Sequence, residues 1–87
     1  VSYTVPADRR AQTVYFRGGN STAEMVTVVL ARDGVPMRSF PIGAKDGVHI
    51  PLVVMEDLQP DTRLALHVLA PAGISGTLTV DMGFVEI

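Results

Sequence analysis

Apolar and polar residues alternate along much of this chain with a period of two, the spacing of half-buried strands. Residues 1–5 alternate in this way and stop at Pro6. Residues 12–17 form a second extended segment carrying Val14, Tyr15 and Phe16, and Gly18-Gly19-Asn20-Ser21 reads as a loop. Residues 24–32 set Val26, Val28 and Leu30 on one face and Met25, Thr27, Val29 and Ala31 on the other. Residues 35–42 and 48–55 are extended, the latter apolar on both faces. After a connection at 56–61, residues 63–70 and 77–84 are strands, separated by a turn region at 71–76. No window has the apolar spacing of a full helix, although one helical turn fits near residues 55–58. Seven short strands, one about every 12 residues, predict a sandwich or barrel.

The turns and prolines order these strands. Ala31-Arg32-Asp33-Gly34-Val35 is echoed thirteen residues later by Ala44-Lys45-Asp46-Gly47-Val48. Asp-Gly between apolar flanks signals a tight turn, because glycine reaches positive φ without steric cost. Pro36 and Pro41 lie in the fourth strand, and Pro51 lies in the fifth. A proline cannot donate to a ladder and is confined to edges, strand starts and bulges. The fourth strand should therefore edge one sheet and the fifth the other, with the chain crossing between sheets near residues 41–47. On this reading Asp33-Gly34 closes a true hairpin, and Asp46-Gly47 serves the crossing.

The expected fold is an all-β, seven-stranded antiparallel immunoglobulin-like sandwich spanning 1–87 as a single domain. A small jelly-roll or β-barrel is the alternative. The expected core is Tyr3, Val14, Phe16, Val26, Val28, Leu30, Ile50, Leu52, Leu64, Leu66, Val68, Leu78, Val80 and Phe84. Leu58-Gln59-Pro60-Asp61-Thr62-Arg63-Leu64-Ala65-Leu66-His67-Val68-Leu69-Ala70 resembles the Leu-x-Pro-x-Thr-x-Tyr-x-x-x-Val-x-Ala signature of fibronectin type III domains, leading into the sixth strand. Leu64 stands at the family's tyrosine position. Phe16 stands where a core tryptophan is expected, and the chain has no tryptophan. The integrin-binding Arg-Gly-Asp triplet is absent. The resemblance implies binding or assembly rather than catalysis.

Composition narrows the function classes. The 87 residues have room for one core only. There is no cysteine, which excludes disulfides and thiolate chemistry and fits a cytoplasmic or virion-associated chain. A net charge of −2 argues against nucleic acid, and no apolar run is long enough for membrane insertion. The chain starts at Val1 rather than Met, so it reads as processed or excised, and a removed signal stays open. Charged residues are 18%, against about 25% in ordinary domains, while 47% are hydrophobic. So small a domain cannot bury that share, and an apolar surplus at the surface marks a partner interface.

Candidate chemistry is sparse. His49 and His67 are the only histidines and could bind metal or act as acid and base if carboxylates such as Asp46 and Asp81 converged on them. Asp33, Asp46, Asp57, Asp61 and Asp81 sit in or near turns, without the alternating acidic loop that calcium needs. Ser2, Ser21, Ser39 and Ser75 include no nucleophile elbow. Arg17-Gly18-Gly19 is a single occurrence rather than an RNA-binding tract, and Asn20-Ser21-Thr22 matches an N-glycosylation acceptor. No catalytic residue, cofactor or metal site is assigned. The candidate interface is Met25, Val29, Val53, Met55 and Leu69, apolar residues opposite the core parity. The expected function is a non-catalytic structural or protein–protein interaction module. It would be a small subunit of a homo-oligomer or larger assembly, for example a virion or capsid decoration protein or an accessory subunit. The alternative is a module binding carbohydrate or another small ligand through its end loops.

Overall fold

The computed structural model describes residues 1–52 and 57–87. It contains β1 (Ser2–Thr4), β2 (Ala11–Asn20), β3 (Val26–Arg32), β4 (Val35–Ile42), β5 (Asp46–Pro51), β6 (Asp57–Leu58), β7 (Arg63–Leu69) and β8 (Leu78–Glu86), with no helix among the described residues. They form two antiparallel sheets. The first has the order β1-β7-β3-β4. In the second, β2 is central: β8 pairs along one side, and β5 then β6 pair along the other. No strand pairing joins the two sheets into a barrel among the described residues.

The prolines act as edge markers. β4 ends the first sheet and β5 ends the second, so the chain changes sheets between them. Pro36 faces Ala31 where the β3–β4 register shifts, leaving Met37 as the extra residue of a bulge. The bulge accommodates the donor that Pro36 lacks. Asp33 and Gly34 both have positive φ, 49° and 83°, between the paired residues Arg32 and Val35. That is the two-residue hairpin turn whose twist matches its flanking strands. At the second Asp-Gly the positive φ belongs instead to Lys45, and the Asp46 N–H donates to the Gly43 carbonyl. Gly47 is already in β5, opposite Gly19.

Several expectations need correction. Gly18, Gly19 and Asn20 are the end of β2 rather than a loop. A Cβ on Gly18 would lie 2.6 Å from Ile42 Cδ1, so glycine here permits close packing of the two sheets. Asp57 and Leu58 pair with Gln12 and Ala11 instead of forming a helical turn, while Met55 lies outside the described residues. Val14 is exposed rather than core, because it is the extra residue of a bulge between Thr13 and Tyr15. The bulge reverses the inward parity of β2, placing Thr13 and Phe16 inside. Val68 has inward parity but is 52% exposed, because β1 runs alongside only Arg63–Ala65 of β7.

The core sits toward the β4–β5 side, where Phe16 of β2 stacks on Phe40 of β4 with ring centroids 4.1 Å apart. Val26, Val28, Leu30, Ile42, Leu52, Leu58 and Leu64 are buried around this pair. Thr13 is fully buried, and its hydroxyl has no hydrogen-bond partner. An unpaired buried hydroxyl costs roughly 1–3 kcal/mol. Thr13→Val keeps the shape and removes the polar group. It should raise stability by about 1 kcal/mol in urea unfolding with an unchanged m-value; a loss of stability would mean that the hydroxyl has a partner after all.

Candidate functional site

The two histidines do not meet. His49 is on β5 opposite Arg17, and His67 is on β7 opposite Val29. Inward positions on these strands are Val48 and Ile50, and Leu64 and Leu66, so the histidines project from the outer faces of different sheets. Stacked sheets lie about 10 Å apart before either side chain extends outward. Among the described residues no group of three or more His, Asp or Glu could hold a metal ion.

The aspartates have local partners. Asp33 accepts the Arg63 N–H on its carboxylate at 2.9 Å and donates its own N–H to the Arg63 carbonyl at 2.8 Å, tying the hairpin to β7. Asp46 accepts the Gly47 N–H, and Asp57 pairs with Arg10 at 3.2 Å. Asp81 receives Arg17 and the Tyr15 hydroxyl on the outer face of the second sheet. The Tyr15 ring lies edge-on to His49 with centroids 5.7 Å apart, and Arg17 sits over the same ring. This is an exposed cross-strand ladder on a flat face, worth little beyond local order.

Asn20 is 3% exposed. Its Nδ2 donates to the carbonyls of Glu24, Ile42 and Gly43 at 2.8, 3.3 and 3.1 Å. Its Oδ1 accepts the Thr22 N–H at 2.9 Å and the Thr22 hydroxyl at 2.7 Å. A glycan on Nδ2 would displace the three carbonyls, so in the folded chain the Asn20-Ser21-Thr22 triplet is a structural lock. Beside it, Gly19, Ser21, Lys45, Thr77 and Thr79 line a shallow open recess with no aromatic ring.

Of the candidate interface residues, Val29 and Leu69 share the outer face of the first sheet, and exposed Met25 precedes β3. His67, Thr27 and Ser39 interrupt the apolar surface between them. Val53 and Met55 lie outside the described residues.

An apolar cleft lies where sequence reasoning did not place one, on the side of the two sheets flanked by β1 and β8. Tyr3, Leu64, Leu66, Val80, Met82 and Phe84 line a cleft of about 260 Å³. Leu78, Val80, Met82 and Phe84 alternate inward along β8, yet every one is only half-buried. At one end the cleft is clasped: Tyr3 stacks on Phe84 with centroids 4.7 Å apart and donates its hydroxyl to Glu86. Farther along β7, inward-facing Val68 is exposed. The signal for this feature was present in the sequence: β8 contains no proline and no lysine, unlike the guarded strands β4 and β5.

Burial, with the Glu86 hydrogen bond and charge adding to it, pushes the Tyr3 phenol from 10.0 up to about 12. Its contribution to stability is therefore fully present below pH 10 and is lost as pH rises through 12. Ultraviolet titration should place one phenolate transition near pH 12, and Glu86→Gln should lower it. An unmoved transition would place the shift elsewhere.

No family model, curated protein or solved structure matches the chain.

Proposed function

We propose that this chain is a non-catalytic protein–protein interaction module, a small subunit of a homo-oligomeric or multi-subunit assembly. The observation that carries this reading is the incompletely covered side of the sandwich. There a whole strand of inward-facing apolar residues is half-buried beside an open cleft. Surfaces of this kind mark partner sites. Sedimentation of the purified chain from low to high micromolar concentration, with native mass measurement of material from its source, tests it. Association is expected; a monomer throughout, with no bound partner in the native material, sinks it.

We further propose an immunoglobulin-like sandwich with its terminal strands exchanged. The inner pairings β2–β5, β3–β4 and β3–β7 support the likeness. In immunoglobulin-like sandwiches the first strand joins the second and the last joins the strand before it. Here β1 pairs with β7 and β8 pairs with β2. Nuclear Overhauser contacts between Tyr3 and Leu64, and between Met82 and Phe16, test the exchange. Contacts from β1 to β2 in their place would restore the usual order.

A further inference from the structure

We infer that β8 is a self-pairing edge, which joins two copies of this chain by antiparallel β8–β8 addition into one continuous sheet. The inference rests on the interaction reading above and names its surface and its occupant. A free strand edge presents unpaired N–H and C=O groups, and proteins guard such edges with proline, lysine, bulges or short length. The other edges here are guarded. β4 carries Pro36, Pro41 and a bulge, β5 ends in Pro51, β6 has two residues, and β1 has three. β8 is nine residues long, has neither proline nor lysine, and pairs only with β2 among the described residues. Its two charges are already engaged within the chain, Asp81 by Arg17 and Tyr15, and Glu86 by Tyr3. Arg17 offsets the charge of Asp81, and no proline or lysine of β8 blocks an incoming strand.

The occupant follows from self-complementarity. Two β8 strands in full antiparallel overlap set Met82 on a two-fold axis. The opposed pairs are then Val80 with Phe84, Leu78 with Glu86, Asp81 with Gly83, and Thr79 with Val85. Each pair shares a sheet face, so the half-buried side chains of both copies stay on the inner face. No like charges oppose each other, which satisfies the pairing rule for cross-strand neighbours. A slip of two residues in one direction would set Asp81 against Asp81. The overlap is isologous and closes as a dimer rather than propagating as a fibre.

Disulfide trapping tests both surface and register. The chain has no cysteine, so introduced thiols are unique. Thr79 and Val85 are exposed, and their replacement leaves the core intact. Opposed residues in an antiparallel pair have Cα atoms roughly 4.5–5.5 Å apart, within disulfide reach. Equal amounts of Thr79→Cys and Val85→Cys chains, mixed and oxidised, should yield a heterodisulfide dimer. Either variant alone should not, because its two thiols would lie roughly 20 Å apart along the paired strands. The wild-type chain should sediment as a dimer at the same concentration. Association without the mixed disulfide overturns β8 self-pairing and leaves the interaction reading standing on another surface. A wild-type monomer at high micromolar concentration overturns the self-pairing outright, and native material without a partner then removes the wider reading as well.

Discussion

Asn20→Asp should unfold this protein at neutral pH or leave it close to its midpoint. The substitution exchanges a donor for a carboxylate oxygen, aimed at the carbonyls of Glu24, Ile42 and Gly43. Those carbonyls lose their donor, and a charge is buried with one oxygen against three acceptors, because the Thr22 N–H and hydroxyl reach only the other oxygen. Asn20→Ala removes the donor without adding the charge and should cost roughly 3 kcal/mol. A chain of this length is stable by roughly 4–13 kcal/mol in all. The aspartate variant also has a pH signature. Its folded-state pKa must lie above the unfolded value, so stability is present below the unfolded pKa and is lost as pH rises through the folded one. Urea midpoints at pH 4 and pH 7 should therefore move closer to wild type at the lower pH. A loss below 1 kcal/mol for both variants (~1 kcal/mol being one ordinary hydrogen bond) would mean that Asn20 is not the lock between β2 and the β4–β5 crossing.

Phe16→Ala should cost about 3–5 kcal/mol, comparable with the lock. Phe16 is fully buried, and its near-parallel stack on Phe40 is the centre of contact between the two sheets. The loss combines transfer of a large side chain with a cavity that two strands cannot close, since β2 is held on both sides. Phe40→Ala should behave similarly. The double-mutant cycle should give a coupling of about 0.5–1.5 kcal/mol beyond area burial. Additive losses would place the two rings in separate environments. Phe16 faces Met82 across the β2–β8 ladder, whereas Phe40 lies on β4, which does not pair with β8, so a Phe40→Ala chain that is still folded should retain its association behaviour. That separates the contribution of the core from that of the open side.

Val29 and Leu69, interface candidates by parity, illustrate its limits. Val29 and Leu69 do lie opposite the inward set, but their spatial neighbours on the sheet are Thr27, Ser39 and His67. Strand neighbours come from other parts of the chain, so a period-two pattern within one segment cannot report the polarity of a whole face. The side is open because β1 runs alongside just three residues of β7, a pairing between opposite ends of the chain.

Short-range pattern along the chain carried the alphabet of the fold. Period-two alternation marked the extended segments, Asp33-Gly34 marked the hairpin, and Pro36, Pro41 and Pro51 marked two edges and the crossing between them. These are local effects, carried by backbone sterics and missing donors within a few residues. The rest arose from packing between segments distant in the chain. The bulge at Val14 reversed the inward face of β2. The packing of Ile42 against Gly18 turned an apparent glycine loop into a strand end. The glycosylation-like triplet at Asn20 became a buried lock because carbonyls from residues 42 and 43 arrive there from a different strand. The placement of the terminal strands, which leaves β8 as the unguarded edge, depends on which distant strand each end meets. That is set by the packing of the two sheets together, and no short-range pattern in either segment encodes it.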